Sequence, residues 1–151
     1  MIERIYVRGR PEAMRFESEH PLLIISVSDP ASDLPQFASI ECDILSLRFH
    51  DVCLIQWDAA ELRERWPDCK PMLPYNAKQI GPFLSKKRHD PTPDLLVHCE
   101  AGLSRSPSIA MAICDSLNLN RSIIDWGGRD VNQDAPNQHV YNLCVEALVL
   151  G

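Results

Sequence analysis

The sequence predicts an α/β fold in which helices flank a central, mainly parallel sheet. Short apolar runs at residues 22–27 and 95–97 are bounded by turn-forming residues, and stretches with helical spacing separate them. Continuous apolar runs are typical of parallel strands that are covered on both faces. With 151 residues, 45% of them hydrophobic and 24% charged, the chain can bury one sizeable core. We therefore expect residues 1–151 to form a single domain.

Three strands and a helix are predicted in the first third of the chain. The run LLIISV at residues 22–27 is partly β-branched and lies between Pro21 and the Asp29-Pro30 turn, which favours a buried strand. Pro11 favours a helix start just before it, because proline fits the first turn. The predicted elements are a strand at residues 2–7, a helix at 10–19, and strands at 22–27 and 43–49.

The rest of the chain predicts helices around one further strand. Asp58 can cap a helix, because its carboxylate accepts a hydrogen bond from an unpaired N–H group. Asn76 is expected to cap another, which Gly81-Pro82 should kink or end early. The predicted elements are helices at residues 58–66 and 76–84, a strand at 95–97, a helix from residue 106, a weaker helix at 121–126, and a last helix from residue 138 or 139 to 150.

The loop between the strand at 95–97 and the helix from residue 106 concentrates the chemistry of the chain. A helix N-terminus carries unpaired N–H groups and partial positive charge, so it suits an anion. Gly102 permits a backbone that turns several loop N–H groups inward. Cys99 stands at the strand end and Arg105 follows six positions later. A thiol in this setting is expected to be largely thiolate, and the arginine fork matches phosphate oxygens.

The nine residues HCEAGLSRS at positions 98–106 resemble the signature loop of the cysteine-dependent protein tyrosine and dual-specificity phosphatases. A second Cys-x5-Arg match, CDILSLR at residues 42–48, has no glycine and no following helix, and its apolar residues predict a strand. We regard it as a decoy. RFHDV at residues 48–52 and the segment at 134–148 resemble a small, single-domain bacterial and phage-type branch of the same family.

The resemblance implies hydrolysis of a phosphate monoester without a metal or other cofactor. Cys99 would attack phosphorus and form a phosphocysteine, and Ser106 would hydrogen-bond the sulfur and make it a better leaving group. Arg105 and the loop N–H groups would hold the phosphate oxygens. His98 is expected to support the loop rather than transfer a proton. The expected phosphate-binding residues are Glu100, Ala101, Gly102, Leu103, Ser104 and Arg105.

The leaving group also needs a general acid, and two aspartates compete for that role. Asp51 directly follows the strand at 43–49, so it should lie at the same sheet edge as Cys99. Asp68 stands in a Trp66-Pro67-Asp68 tripeptide, which resembles the acid loop of larger tyrosine phosphatases, 31 residues before Cys99. However, a charged helix precedes it and no glycine follows. We favour Asp51 over Asp68, with Asp58 behind both.

Net charge, apolar runs and cysteine spacing limit which partners and which cellular compartment we expect. A net charge of −6 argues against nucleic acid, and no apolar run approaches a membrane span or a signal peptide. Six cysteines without Cys-x-x-Cys spacing fit a reducing cytoplasm. The catalytic loop has no lysine, whereas a loop for polyanionic inositol phosphates would gain from extra positive charge. We expect a cytoplasmic monomer that dephosphorylates phosphotyrosine in proteins or peptides, with phosphoserine and phosphothreonine as further candidates.

Two alternatives stay open from the sequence, and a third fails. The first is a phosphatase that acts on a small molecule, a nucleotide or an RNA 5′ end. The second is a phosphate-binding module without turnover, against which the complete set of Cys99, Arg105 and Ser106 argues. The third, sulfur transfer on a rhodanese-like loop, does not fit the Gly-x-x-Arg-Ser arrangement. Residues 52–74 could serve as a lid, a docking surface or a simple insertion.

Overall fold

The computed structural model describes residues 2–39, 41–55, 57–86, 93–132 and 136–150. These residues form five strands, six α-helices and one short 3₁₀-helix. The strands are β1 (Ile5–Arg8), β2 (Leu22–Ser28), β3 (Cys42–Arg48), β4 (Asp94–His98) and β5 (Ile124–Asp125). The helices are α1 (Arg10–Arg15), α2 (Ala59–Arg65), α3 (Pro74–Lys78), α4 (Ile80–Ser85), α5 (Arg105–Ser116) and α6 (Gln138–Leu150), and the 3₁₀-helix is Arg121–Ile123.

All five strands form one parallel sheet in the order β3-β2-β4-β1-β5. The register aligns Arg8 of β1 with His98 of β4, and Ser28 of β2 with Arg48 of β3. The carboxyl ends of these four strands therefore meet at one edge of the sheet, where ligands bind in open α/β folds. The predicted fold class, a mainly parallel sheet flanked by helices, is confirmed.

The core lies on both faces of the sheet. Every residue of β2 and β4 is buried, as expected for central parallel strands. On one face, alternate strand residues such as Leu95 and Val97 pack against α5 and α6. On the other face, Leu96 joins a smaller cluster with Ala13 of α1. Within the described parts of the chain, none of the helices combines the length and the apolar character needed to cross a membrane.

The predicted helix at residues 76–84 is wrong in its start and its continuity. It is two short helices, α3 and α4, and the first begins at Pro74 rather than after Asn76. Asn76 lies inside α3, where its Oδ1 accepts a hydrogen bond from the backbone N–H of Leu73 at 2.9 Å. Pro82 lies in the first turn of α4, where a missing N–H leaves no intrahelical acceptor unpaired.

Two other predictions need correction. The first helix ends at Arg15, four residues earlier than expected. Residues 121–126 are not a helix: a 3₁₀ turn leads into β5, which pairs with β1 through Ile5 and Ile124. A two-residue strand shows no alternation that a sequence pattern could detect. Two further predictions are confirmed, since Asp58 caps α2 by accepting from Ala60 N–H at 2.7 Å and α6 begins at Gln138.

Truncation of a central strand residue tests the position of β4. Leu96→Ala removes a fully buried side chain, so we expect the free energy of unfolding to fall by about 2–5 kcal/mol. Leu117→Ala is the matched control, because Leu117 is 42% exposed, and its loss should stay under about 1 kcal/mol. Urea denaturation followed by circular dichroism measures both. Equal small losses would contradict the burial of β4 between two helical layers.

Candidate active site

The loop that joins β4 to α5 turns the peptide N–H of Gly102 toward the Cys99 sulfur. Gly102 donates its N–H to Cys99 Sγ at 3.2 Å, while the carbonyl on the other side of that peptide, Ala101 O, accepts from Arg129 Nη1 at 2.7 Å. C=O and N–H point in opposite directions in a trans peptide, so the arginine bond outside fixes the N–H inside. The peptide between Glu100 and Ala101 is oriented in the same way. Its carbonyl oxygen, Glu100 O, accepts a hydrogen bond from Arg10 N–H at 2.9 Å.

Gly102 is required at its position by both conformation and space. Its φ of +73° lies in the left-handed region that disfavours other residues. A Cβ there would collide with Arg129 Nη1 and would lie 2.6 Å from both the carbonyl carbon of Arg8 and the nitrogen of Gly9. The loop is thus packed directly against the carboxyl end of β1.

The Cys99 thiol lies at the start of α5 with two polar neighbours. Ser106 Oγ is 3.1 Å from Cys99 Sγ, so the hydrogen bond expected from the sequence is present. The residue is only 2% exposed, and α5 begins six residues after it. Burial raises the pKa of two other buried thiols, that of Cys114 to about 11 and that of Cys144 to about 12. Those two thiols are poor nucleophiles.

The Arg105 guanidinium is fixed by the ends of two neighbouring strands. Its Nη1 donates to Asp29 Oδ1 and to Phe49 O, each at 2.8 Å. Asp29 directly follows β2 and Phe49 directly follows β3. The side chain is buried, yet a guanidinium carries further donors on Nη2 and Nε that can bind oxygen atoms of an anion.

His98 supports the β4–α5 loop through a hydrogen bond to its first residue, as predicted. It is fully buried, with Nε2 2.7 Å from Ser26 Oγ and Nδ1 3.2 Å from Cys99 O. The carbonyl can only accept, so Nδ1 carries the proton and Nε2 accepts from the serine hydroxyl. Burial is the main cause that lowers the pKa of His98 to about 4, so the ring is neutral near pH 7.

Asp51 is brought to the loop between β4 and α5. Its Oδ1 accepts hydrogen bonds from Ser104 Oγ and from Asn137 Nδ2, both at 2.8 Å. Asp68 lies in an exposed turn after α2, and no contact found among the described residues joins it to the loop. Asp58 is occupied as the cap of α2. The geometry favours Asp51 as the acid, and its role in proton transfer stays a prediction.

The segment that follows Asp51 leaves the sheet edge and returns to it. His50 N–H donates to Lys70 O at 2.6 Å, and Lys70 N–H donates to His50 Nδ1 at 2.8 Å. These two bonds close an excursion over residues 51–69 that includes α2. Trp57 and Trp66 form an edge-to-face pair on it, with ring centroids 5.3 Å apart. The segment is thus a closed surface loop beside the site.

Three residues of the site were not anticipated from the sequence. Asp29 was interpreted only as a turn residue, although its place after a buried strand is the same signal that identified Asp51. Asn137 directly precedes the predicted last helix, and this position in the sequence does not indicate a contact with Asp51. Arg129 lies in a segment without periodicity, so no sequence signal could place its guanidinium 2.6 Å from Val7 O and 2.7 Å from Ala101 O.

Comparisons with known proteins add nothing to this geometry. None of the known protein-family models matches the chain, and none of the curated proteins is significantly similar to it. Nor do the described residues include any group of three or more His, Cys, Asp or Glu side chains arranged to hold a metal ion. The site is therefore interpreted from its own residues: a thiol, an arginine, inward N–H groups and a carboxylate, an arrangement that can hold an oxyanion beside a nucleophile.

Alanine substitutions at Gly102 and Gly128 compare two effects. Both introduce backbone strain at a positive φ, but only the first also brings a Cβ into collision with its neighbours. Gly102 and Gly128 have similar φ values, +73° and +75°, but a Cβ at Gly128 has no atom within 4 Å. Both variants should lose about 1–2 kcal/mol of stability from the left-handed backbone. Gly102→Ala should in addition weaken inorganic phosphate binding at least about tenfold, because the inward N–H groups are displaced. Calorimetric titration with phosphate measures this, and equal phosphate affinity in both variants would contradict a packed anion seat.

Acid titration tests the buried neutral histidine. The folded pKa of His98 lies near 4 and an unfolded histidine titrates near 6.5. Protons therefore bind the unfolded chain first, and the free energy of unfolding should fall by about 3 kcal/mol as pH drops from 6.5 toward 4. His98→Asn should lose this part of the pH dependence, while His20→Asn, at an exposed position, should keep it. The same pH slope in wild type and His98→Asn, from urea melts, would show that His98 is not the source.

Proposed function

We propose that the protein is a cysteine-dependent phosphatase that hydrolyses phosphotyrosine in proteins or peptides, with phosphoserine and phosphothreonine as further substrates. One observation carries the proposal: a loop that holds a buried thiol at one end and an arginine at the other also receives a carboxylate from a distant part of the chain. Cys99 Sγ accepts from Gly102 N–H, and Asp51 accepts from Ser104 on the same loop. The sequence resemblance of residues 98–106 supports the same interpretation.

In the first step, the Cys99 thiolate attacks phosphorus and the bond from phosphorus to the phenolic oxygen breaks. Asp51 donates its proton to the departing oxygen, so that a neutral phenol leaves. Arg105 and the inward N–H groups, including that of Gly102, bind the equatorial oxygens while charge spreads over them. Asp29 and Phe49 O hold the arginine in place for this contact.

In the second step, water attacks the phosphocysteine. The Asp51 carboxylate now accepts a proton from that water, the sulfur–phosphorus bond breaks, and inorganic phosphate leaves. The sulfur departs as a thiolate, which hydrogen bonds stabilise. Ser106 Oγ, 3.1 Å from Cys99 Sγ, is the group placed to donate one of them.

Substrate class and setting form part of the same proposal. The loop residues between Cys99 and Arg105 include no lysine, which favours a single phosphate group over a polyanion. All six cysteines are free, which is consistent with a reducing cytoplasm. We propose a monomer that needs no metal or other cofactor and whose partners are phosphorylated proteins rather than nucleic acid or membrane.

Hydrolysis of an aryl phosphate across pH, without added metal, tests this function. Cys99→Ser should abolish turnover, because a serine hydroxyl is not ionised near pH 7. Asp51→Asn should lower kcat about 10²–10⁴-fold and remove the basic limb of the bell-shaped pH profile. Asp68→Asn is the matched control and should keep both limbs.

Each other outcome identifies an alternative. If Asp68→Asn loses the basic limb and Asp51→Asn keeps it, the Trp66-Pro67-Asp68 loop supplies the acid. If wild type binds vanadate or phosphate without turnover, the protein is a phosphate-binding module. If it hydrolyses nucleotides or RNA 5′ phosphates at least tenfold faster than phosphotyrosine peptides, the protein substrate class is wrong.

A further inference from the structure

The buried residue Asn137 connects three segments around the site, namely α5, α6 and residues 51–52, through its side-chain amide and its backbone N–H. It is only 2% exposed and directly precedes α6. Its Oδ1 accepts from Val140 N–H at 3.1 Å, which is the bond of a helix N-cap, and its backbone N–H donates to Ser108 Oγ on α5 at 2.9 Å. Both helices belong to the packed layer on the sheet, so the amide is held rigidly.

The amide nitrogen of Asn137, Nδ2, points to the start of the surface excursion. Asn137 Nδ2 donates to Asp51 Oδ1 at 2.8 Å and to Val52 O at 3.2 Å. It therefore binds both the carboxylate and the backbone of the next residue. An Asn side chain offers two N–H donors, which match these two acceptors.

Asp51 needs such a contact because its own position is weakly constrained. Its side chain is exposed, and it begins the excursion that returns only at Lys70. A long loop beside a catalytic centre samples many backbone states unless side chains fix it. A misplacement of about 1 Å in a proton donor costs about 10²-fold in rate.

The contacts also distinguish the two oxygens of the carboxyl group. Ser104 Oγ and Asn137 Nδ2 both donate to Oδ1. An oxygen that accepts two hydrogen bonds is the carbonyl-like oxygen of a protonated carboxyl group, which leaves the proton on the other oxygen. Oδ2 is then the atom that delivers the proton.

We propose that Asn137 is a positioning residue for general-acid catalysis: its amide fixes Asp51 against the catalytic loop and selects Oδ2 as the proton-bearing oxygen. This inference rests on the proposed phosphatase function. It assigns Asn137 no contact with substrate. The residue acts only through Asp51.

The dependence of rate on the leaving group separates positioning from a purely structural role. Phenolate from phenyl phosphate is a poor leaving group that requires a proton, whereas 2,4-dinitrophenolate leaves without one. Asn137→Ser keeps a hydroxyl that can cap α6 but is too short to reach Asp51. We expect kcat/KM to fall about 10–100-fold for phenyl phosphate and less than about threefold for dinitrophenyl phosphate.

Two further variants complete the experiment. Gln138→Ala, at the adjacent position, removes only a surface bond to Asn142 and should keep both rates. In an Asp51→Asn background, Asn137→Ser should add no further loss on phenyl phosphate, because the group that it positions is already gone. If Asn137→Ser unfolds below the assay temperature, Asn137→Thr, which also keeps a capping hydroxyl and adds no charge, should show the same leaving-group selectivity.

The outcomes that overturn the inference are distinct from failure of the proposed function. Equal loss on both substrates, or a full additional loss in the Asp51→Asn background, would show that Asn137 only maintains the fold. A wild-type protein that hydrolyses neither substrate would instead end the phosphatase proposal and this inference with it. An unchanged rate for Asn137→Ser on phenyl phosphate would show that Ser104 alone holds Asp51.

Discussion

The outward turn of the Glu100 and Ala101 carbonyl groups is the constraint on which the site depends. A loop of this length could equally turn its carbonyls inward, and partial negative charge would then face any bound anion. Arg129 and the backbone N–H of Arg10 prevent this by binding the two carbonyls from outside. Because peptide planes are rigid, these external bonds orient the N–H groups inside. The partial positive charge on the inner side of the loop is thus maintained by Arg129 and Arg10, which bind the loop from outside.

The parallel sheet supplies the second requirement, which is a common edge. Strands β2, β3 and β4 end side by side, so three segments distant in sequence deliver Asp29, Phe49 and Cys99 to one place. An antiparallel sheet would send alternate strand ends to opposite edges. The helices contribute by fixing the ends: α5 begins at Arg105, and α6 begins directly after Asn137.

Much of the fold and part of the site follow from local sequence patterns. The strands β2 and β4 are apolar runs between breakers, and the neighbours Cys99 and Ser106 lie on one strand-loop-helix unit, so both were predictable. Asp51 was predictable because strand ends share an edge. Arg129 and Asn137 act through tertiary contacts to Ala101 and Asp51, across 28 and 86 residues, and no local pattern encodes such partners. The division between α3 and α4 and the two-residue β5 depend in the same way on what packs around them.

The closure of the excursion at His50 and Lys70 separates two kinds of evolutionary freedom. The entropy of closing a loop grows only with the logarithm of its length, so the part of the excursion beyond Val52 can be lengthened or shortened at small cost in stability. The excursion is joined to the sheet edge by the two hydrogen bonds at the anchor and to the β4–α5 loop and Asn137 by the contacts of Asp51 and Val52. Surface features beyond Val52, such as the Trp57–Trp66 pair, can therefore change during evolution without changing the strand ends that hold the β4–α5 loop.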